Sequence, residues 1–409
     1  MRRPGAADAL EMKTADPEFM RAINRFHVMD AIRRFGPISR VEIADRTDLS
    51  PTTVSAITAA LLEDKLIVPR PVGAVRDATR GRPRVMLELN PDAAFVVGAK
   101  LAPAQITVAV TNFRADVIKT LSLPIRVDRQ PVAVIADLVE DGVRRCVADA
   151  GLAFSAINGV CIGLPGVVES GSGRCRQSPI FRERDVPFGQ EISARLGIPV
   201  TVDSDVNLVT LAEHWFGHGV GIDDFLVVSV EHTLGLGIMH RGELFRGADG
   251  LSPDLGDFLV HLPDADGEVH RLVDLIAAAT ADTVAAQRAP AATRNNGDIA
   301  LASTFDQLST QIAGDALGFA IANLITLFAP PKVILTGTAL STSNRLLTPL
   351  RAAVLRFTPA SLSDVAQLVV RDFGDDIWAR GAAAMSLRDL YGAPWSSTGP
   401  APRPRQIPT

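Results

Sequence analysis

The stretch Ser50-Pro51-Thr52-Thr53-Val54-Ser55 decides the fold of the first part of the chain, because it predicts the start of a short helix. Serine is a preferred N-cap residue, and proline suits the first helical turn. Apolar residues recur afterwards at one-face spacing, at Val54, Ile57 and Leu61. The hydroxyl-bearing residues between them are predicted to point outward, namely Thr52, Thr53, Ser55 and Thr58. Such a face can enter the major groove of DNA.

Two further helices are predicted before this one. The apolar spacing from Phe19 to Ile32 predicts an amphipathic helix that ends at Gly36-Pro37. Ser39 and Glu42 form the pattern of a capping box, which predicts that a second helix begins there. Its inner side is predicted to carry Val41, Ile43 and Ala44. The order of helix, turn and helix is typical of DNA-binding domains.

A basic segment follows the third helix. Residues 66–68 and 85–89 are predicted to be short strands, and the segment from 70 to 84 carries arginines against the single acid Asp77. An extended Arg82-Pro83-Arg84 tip would fit the narrow, electronegative minor groove. We therefore predict that residues 19–90 form a winged helix-turn-helix that binds double-stranded DNA. The alternative is a small helical domain with a solvated face. The predicted contacts are Ser50, Thr52, Thr53, Ser55, Thr58, Arg80, Arg82 and Arg84.

The charge is divided unevenly along the 409 residues, whose net charge is −5. Residues 1–90 hold 15 Lys and Arg against 12 Asp and Glu, whereas the remainder holds 26 against 34. A basic head on an acidic body suits a protein that contacts DNA at one end only, because phosphates repel the acidic part. The content of 47% hydrophobic residues allows a large core split into two or three domains.

Several classes of protein are disfavoured by the sequence. The first residues lead into no apolar run, and no later stretch is predicted to be long and apolar enough to cross a membrane, so we expect a cytoplasmic protein. The three cysteines show no CxxC spacing, which argues against disulfides and a zinc site. Residues 1–18 and 393–409 lack periodicity and are predicted to be disordered.

After Asn90-Pro91 the pattern becomes that of an α/β protein. Apolar or alternating runs predict strands, and longer amphipathic runs predict the helices between them. The order of these elements would fit two α/β lobes that face a cleft. The predicted strands are 94–101, 106–111, 117–127, 157–162, 199–203, 225–230 and 332–336, and the predicted helices are 132–150, 205–216, 312–328 and 377–390.

The motifs of the body, in this order, resemble the ROK family of repressors and sugar kinases. They are Ile162-Gly163-Leu164-Pro165-Gly166, then Asp203-Ser204-Asp205-Val206-Asn207, then Gly235-Leu236-Gly237, and they follow a winged helix-turn-helix. The resemblance implies an α/β fold whose body is a two-lobed actin-like ATPase (ribonuclease H-like) structure. It also implies that residues 91–392 form an effector-sensing domain with a sugar in the cleft.

The resemblance implies five ligand-binding residues. Asp205 is similar to the family's catalytic aspartate, which accepts a hydrogen bond from a sugar hydroxyl, although a helix N-cap is the alternative reading of this position. Asn207 is expected to hold the same turn. Asp254 stands where the family has a sugar-binding Glu, and Asp257 where it has a His that contacts sugar and zinc. Backbone and hydroxyl contacts are expected at Gly166 and Ser204.

The chain departs from the kinases at their phosphate-binding loops. The first loop, an Asp with glycines, is replaced by Lys100-Leu101-Ala102-Pro103-Ala104, and the second begins with Glu231 where anionic phosphate would sit. Phosphoryl transfer depends on positioning and on charge neutralisation, so these losses argue against an enzyme and against a nucleotide cofactor. The family's zinc-binding cysteines are also missing, and His261 and His270 do not make a ligand set, so no metal is expected.

The sequence therefore predicts a regulator, most simply a repressor of carbohydrate-utilisation genes that a sugar releases from its operator. Its expected partners are operator DNA, a small carbohydrate and further copies of itself in a homodimer or homotetramer, without a membrane. Two alternatives stay open. One is a sugar kinase with an accessory DNA-binding domain, and the other is a DNA-binding dimer that has lost effector binding.

Overall fold

The computed structural model describes residues 17–70, 85–231, 233–261, 268–279, 296–341, 344–371 and 377–391. Within these ranges, contacts divide the chain into two compact units. The first contains the residues up to Ala93 together with 387–391, and the second contains Ala94–Ser386. The predicted disordered ends, 1–18 and 393–409, lie outside the described residues except for Pro17 and Glu18, which are helical, contrary to the prediction.

The first unit is a winged helix-turn-helix, as predicted. Its elements are α1 (Pro17–Phe35), β1 (Ile38–Ser39), α2 (Arg40–Thr47), α3 (Pro51–Glu63), β2 (Ile67–Arg70) and β3 (Met86–Leu89). The three strands form an antiparallel sheet in the order β1-β3-β2. β1 could not be predicted from the sequence, because a strand of two residues that ends at the capping Ser39 has no periodicity of its own.

The helix starts of this unit follow the predicted capping chemistry. The Ser39 hydroxyl accepts a hydrogen bond from the Glu42 amide at 3.3 Å, and the Glu42 carboxylate accepts one from the Ser39 amide at 2.9 Å. At α3, Ser50 is the N-cap, and its hydroxyl accepts from the Thr53 amide at 3.1 Å. Both predicted N-termini are therefore confirmed.

Two predicted orientations in this unit are wrong. Val41 was expected on the inner side of α2 but is 58% exposed. Thr58 was expected on the outer face of α3 but is buried, and its hydroxyl oxygen accepts a hydrogen bond from Arg40 Nε at 2.8 Å. Thr58 lies four residues after Val54 and three before Leu61, so helical geometry places it on the same stripe as these two buried residues.

The second unit contains two lobes with the same strand topology. In each lobe three antiparallel strands continue into two parallel strands. When the strands of each sheet are counted in chain order, both sheets have the order fifth, fourth, first, second, third. The duplicated βββαβ arrangement is that of the actin-like ATPase fold, which confirms the predicted fold class.

The first lobe has its core between the sheet and helices α4 and α5. Its elements are β4 (Phe95–Ala102), β5 (Gln105–Asn112), β6 (Val117–Leu123), α4 (Val132–Asp149), β7 (Ile157–Leu164), β8 (Val167–Glu169), β9 (Arg174–Gln177), α5 (Phe188–Leu196), β10 (Val200–Ser204) and α6 (Asp205–Phe216). β6 ends four residues before the predicted strand end at 127, where the chain enters a 3₁₀ turn.

The second lobe has its core between its sheet and helices α8 and α10. Its elements are β11 (Phe225–Val230), β12 (Leu234–His240), β13 (Glu243–Leu244), β14 (Leu259–His261), β15 (Val269–Arg271), α7 (272–279), α8 (Asn296–Phe328), β16 (Lys332–Thr336), α9 (Thr338–Ser341), α10 (Asn344–Phe357) and β17 (Gln367–Val370). The helix that follows, α11 (Ile377–Leu390), packs on the sheet of the first lobe, where Trp378 and Ala379 cluster with Ala109. Strands β14 and β15 form a separate ribbon.

Helix α6 of the first lobe lies directly on strand β12 of the second. A Cβ atom on Gly235 would come within 2.7 Å of the Val206 Cβ, and one on Gly237 would collide with the Thr210 side chain. The two glycines therefore allow a close approach of helix and strand. This contact brings the N-terminus of α6 next to the turn that precedes β12.

Among the described residues, one helix is apolar enough to cross a membrane by length and composition, which corrects the expectation from sequence. It is Leu308–Phe328 in α8, with a mean hydropathy of 1.4, and 56% of it is buried. Ala316, Leu317, Ala320 and Ile321 on this helix pack in the core of the second lobe. The helix is therefore a core element of this lobe.

The burial of Thr58 generates the first prediction. Thr58→Val removes the acceptor of the Arg40 guanidinium and should destabilise α3 by about 1 kcal/mol, which corresponds to roughly fivefold faster hydrogen exchange of the α3 amides. Thr52→Val, on the exposed face of the same helix, is the matched control and should leave exchange unchanged. Equal exchange rates in both variants would contradict the inward placement of Thr58.

Candidate functional site

The first candidate site is the exposed face at the start of α3. Ser50, Thr52 and Ser55 are exposed, and Thr53 is half-buried with its hydroxyl 2.8 Å from that of Ser50. Thr58 does not belong to this face, because it is buried beneath Arg40. Three small polar side chains therefore remain available on α3 for a groove of DNA.

The arginines predicted for the wing, Arg80, Arg82 and Arg84, lie outside the described residues, so their role stays a prediction. The two strands that border this segment, β2 and β3, pair with each other in antiparallel register from Ile67↔Leu89 to Arg70↔Met86. β2 therefore ends at Arg70, opposite Met86, where β3 begins.

The second candidate site is a cavity of about 230 Å³ in the second unit. It brings together all five predicted ligand-binding residues, which come from three separate segments of the chain. These residues are Gly166, Ser204, Asp205, Asp254 and Asp257. Positions that lie far apart in the sequence thus converge on one cavity, whose polar groups could bind a small ligand.

The first lobe contributes the end of β7 and the start of α6 to this cavity. Gly166 has a φ of +117°, and the Gln177 carbonyl occupies the space where a side chain would be. The N-cap of α6 is Ser204 rather than Asp205, so the N-cap alternative was wrong by one residue. Asp205 is the first helical residue and accepts a hydrogen bond from the Val206 amide at 2.8 Å.

The turn before α6 is held by buried charge. Asn207 Nδ2 donates to Asp203 Oδ1 at 2.7 Å, so the expected role of Asn207 in this turn is confirmed. The Ser204 amide donates to the same oxygen, and the Arg246 guanidinium, from the second lobe, pairs with the other oxygen of Asp203. Sequence analysis did not find Arg246, because no motif marks it.

The second lobe contributes the segment from Pro253 to Asp257. Asp254 Oδ1 accepts a hydrogen bond from the Gly256 amide at 2.8 Å, and the Asp254 backbone forms a β-bridge with Gly235. Burial, and then the neighbouring charge of Asp257, raise the pKa of the Asp254 carboxyl. The exposed Asp257 lies 3.4 Å from Arg271 Nη1.

Arg271 is a cavity residue that sequence analysis missed. It ends β15, where it pairs in register with Leu259 of β14, and it also forms an ion pair with Asp274 at 2.9 Å. The pairing of two short strands could not be predicted from three-residue runs. Gln177, Ser178 and Thr233 also line the cavity and were missed for a similar reason, since polar loop residues carry no periodic signal.

Two charges that replace the kinase phosphate loops contact each other near Asp205. The Lys100 ammonium lies 2.9 and 3.0 Å from the two carboxylate oxygens of Glu231. Burial raises the pKa of Asp205 to about 6, with Lys100 lowering it and Glu231 raising it. At neutral pH Asp205 is therefore mainly ionised and can only accept hydrogen bonds, as a ligand rich in hydroxyl groups requires.

The described residues do not fit the zinc site of the family. Asp257 stands at the position of the family's histidine and is paired with Arg271. His261 is exposed and His270 is half-buried, at neighbouring positions of the β14–β15 ribbon. No group of three or more His, Cys, Asp or Glu in the described part of the chain could hold a metal ion.

Comparisons with known proteins agree with both units. Residues 21–68 match the model of winged helix-turn-helix DNA-binding domains. The chain is 22% identical over 381 residues to the xylose repressor of Bacillus subtilis (strain 168), which covers 92% of this chain and 98% of that protein.

Solved structures share the fold. A ROK family transcriptional regulator, described as a homolog of the Escherichia coli MLC protein, superposes with a TM-score of 0.70 at 24% identity over 91% of this chain and 97% of its own. A ROK family glucokinase from Streptomyces griseus, in complex with glucose and AMPPNP, superposes with a TM-score of 0.57 at 21% identity over 71% of this chain and 99% of its own. The model of the ROK family matches residues 103–389, well over half of the sequence, and the chain therefore belongs to the ROK family.

Proposed function

We propose that this protein is a DNA-binding transcriptional repressor of carbohydrate-utilisation genes, which leaves its operator when a sugar occupies the cavity of the second unit. One observation carries this proposal. The sugar-binding positions of the family form a cavity lined by carboxylates, while Lys100 and Glu231, at the positions of the phosphate loops, pair with each other.

The chemistry of the cavity favours a neutral sugar. Asp205, Asp254 and Asp257 offer acceptors to several hydroxyl groups, whereas their negative charge would repel a phosphate or a carboxylate on the ligand. The name of the xylose repressor of B. subtilis, which matches nearly the whole chain, makes D-xylose the first sugar to test.

The geometry does not favour a kinase. A kinase needs cationic or backbone groups that neutralise the phosphates, together with a bound Mg²⁺. Lys100 is already neutralised by Glu231 at 2.9 Å, and the Glu231 carboxylate would repel a nucleotide phosphate. The other alternative, a dimer without effector binding, is disfavoured by the cavity itself, because all five predicted ligand positions line it and the two that differ from the family still carry carboxylates.

The proposed assembly is a homodimer or homotetramer in the cytoplasm that binds a palindromic operator, since two-fold symmetric DNA sites are bound by two-fold symmetric proteins. The exposed hydroxyl face of α3 would read bases in the major groove, and the arginines of the wing would lie in the minor groove.

Removal of the wing arginines should weaken DNA binding. On an operator obtained by in vitro selection, Arg82→Ala/Arg84→Ala should lower the affinity for DNA. The slope of log affinity against log salt concentration, called the salt slope, should become shallower by up to about two, because fewer counterions are released. Arg144→Ala/Arg145→Ala, two exposed arginines on α4, is the control and should bind like the parent. An unchanged affinity and salt slope in the wing variant would show that the wing does not contact DNA.

A neutral sugar should stabilise the protein. In a thermal-shift screen of neutral sugars and sugar phosphates, D-xylose or a related neutral sugar should raise the melting temperature, with about 2.7 kcal/mol gained at a hundredfold excess over Kd. Asp205→Ala should abolish the shift, whereas Asp141→Ala, an exposed carboxylate on α4, should retain it. A shift that survives in Asp205→Ala would place the sugar elsewhere, and the absence of any sugar response would favour the ligand-free dimer.

Phosphorylation should be undetectable. The purified protein with Mg²⁺-ATP and the same sugars is expected to produce no sugar phosphate above background, because the positions of the phosphate loops hold a paired lysine and glutamate. A ROK glucokinase assayed in parallel provides the positive control. Sugar-dependent turnover that Asp205→Asn abolishes would restore the kinase reading.

A further inference from the structure

Lys100 and Glu231 form a partly buried ion pair between the two lobes. Lys100 lies in β4 of the first lobe, and Glu231 is the first residue after β11 of the second. The ammonium contacts both carboxylate oxygens, at 2.9 and 3.0 Å, and each side chain is only 14% exposed. A pair this shielded from water exerts a stronger field on its neighbours than a surface pair does.

The sheet register directs Lys100 toward Asp205. Lys100 pairs with Gly163 of β7, which in turn pairs with Asp203 of β10, and residues in register on adjacent strands present their side chains on the same face. Gly163 has no side chain, and a Cβ atom there would lie 3.4 Å from the Asp205 Cα. The face of the sheet that carries the Lys100 side chain is therefore the face on which Asp205 begins α6.

We propose that Lys100, anchored by Glu231, is a positioning residue for the ligand and holds Asp205 as the ionised acceptor of a sugar hydroxyl. The positions that bind nucleotide phosphates in the kinases of this family would then support the sugar site in this chain. The part of this inference that concerns the ligand rests on the proposed function, but the action of Lys100 on Asp205 does not.

Several carboxylates lie around Asp205 and disfavour its ionised form, so a nearby cation is needed to keep it ionised. Glu231 follows β11, and Asp254 and Asp257 lie across the cavity. Among the described residues, Lys100 and Arg271 oppose these carboxylates, and Arg246 pairs with the neighbouring Asp203. Arg271 is already paired with Asp257 and Asp274. Burial raises the pKa of Asp205 most strongly, Lys100 lowers it, and Glu231 raises it. The removal of Lys100 should therefore raise this pKa further, whereas the removal of the Glu231 charge should lower it.

These opposite directions separate the proposal from a simpler one. If the ion pair only held the two lobes together, Lys100→Met and Glu231→Gln would break the same contact and have the same effect. If Lys100 acts on the charge of Asp205, the two variants must move the titration of Asp205 in opposite directions.

The decisive experiment needs no ligand. The unfolding free energy of the full chain is measured between pH 4 and 9 for the parent, Lys100→Met and Glu231→Gln, each with and without Asp205→Asn. The difference in unfolding free energy between each protein and its Asp205→Asn counterpart gives the contribution of the Asp205 carboxyl group. The folded pKa of Asp205 lies above its unfolded value. The contribution of this carboxyl group to the unfolding free energy therefore decreases as pH rises from about 4, and the decrease has its end point at the folded pKa, near pH 6 in the parent.

We expect this end point to lie about one pH unit higher in Lys100→Met and below that of the parent in Glu231→Gln. Lys100→Arg should restore the value of the parent. Glu140→Gln, which removes an exposed ion pair on α4, should leave the end point unchanged. The same end point in all variants would overturn the proposal. If Lys100→Met fails to fold, Glu231→Gln alone tests the proposal, because an end point in that variant equal to that of the parent would also overturn it.

A second measurement tests the link to the ligand. The affinity for D-xylose, measured by calorimetry, should fall as pH drops below about 6 in the parent, because Asp205 then gains a proton, and the fall should begin at higher pH in Lys100→Met. If the parent binds no sugar at any pH, the proposed function fails, and the stability measurement still decides the role of Lys100. An affinity in Lys100→Met that follows the pH profile of the parent would contradict the inference.

Discussion

Helix α6 packs against strand β12 without side chains between them at Gly235 and Gly237, and the geometry of the candidate site depends on this contact. The contact holds the first lobe against the second along α6 and β12. It also places Asp205, the first residue of α6, beside the turn that leads into β12. A side chain larger than glycine at either position would push the helix away and open the cavity. The glycines of this segment therefore have a packing role that does not involve a phosphate.

The charges near this contact follow a consistent pattern. Asp203 at the end of β10 is fully buried and is neutralised by Arg246, and Glu213 on α6 is fully buried and paired with Arg371 at 2.6 Å. Lys100 and Glu231 make a third partly buried pair. In each pair one partner belongs to the first lobe and the other to the second. Because a single buried charge is costly, each pair favours the arrangement in which the lobes are together, and the cavity lies within this arrangement.

Local signals were sufficient to predict much of this structure. The caps at Ser39 and Ser50 depend on residues three positions apart, and both are present. The hydroxyl group of Thr58 predicts exposure, but its spacing from Val54 and Leu61 places it inside. Runs of apolar residues also predicted most strands of the two sheets, because buried strands are long enough to show periodicity.

Contacts between residues far apart in the chain could not be predicted from the sequence. The motifs carried the five positions that converge on the cavity, but nothing in the sequence indicated that Lys100 meets Glu231, 131 residues away, or that Arg271 lies at the cavity. In the sequence, each of the two loop replacements indicates only the loss of a phosphate site. Only their contact in the folded chain shows that they form one electrostatic unit beside Asp205.

The central claim is that the cavity and the DNA-binding face are coupled through one equilibrium. The most direct test is the affinity for D-xylose, measured with the free protein and again with the protein saturated by its operator. Coupling is reciprocal, so the sugar should bind more weakly to the complex, by the same factor by which it weakens the affinity for the operator. An equal affinity for D-xylose in the two states would contradict the account, because a ligand that does not distinguish between them cannot release the DNA.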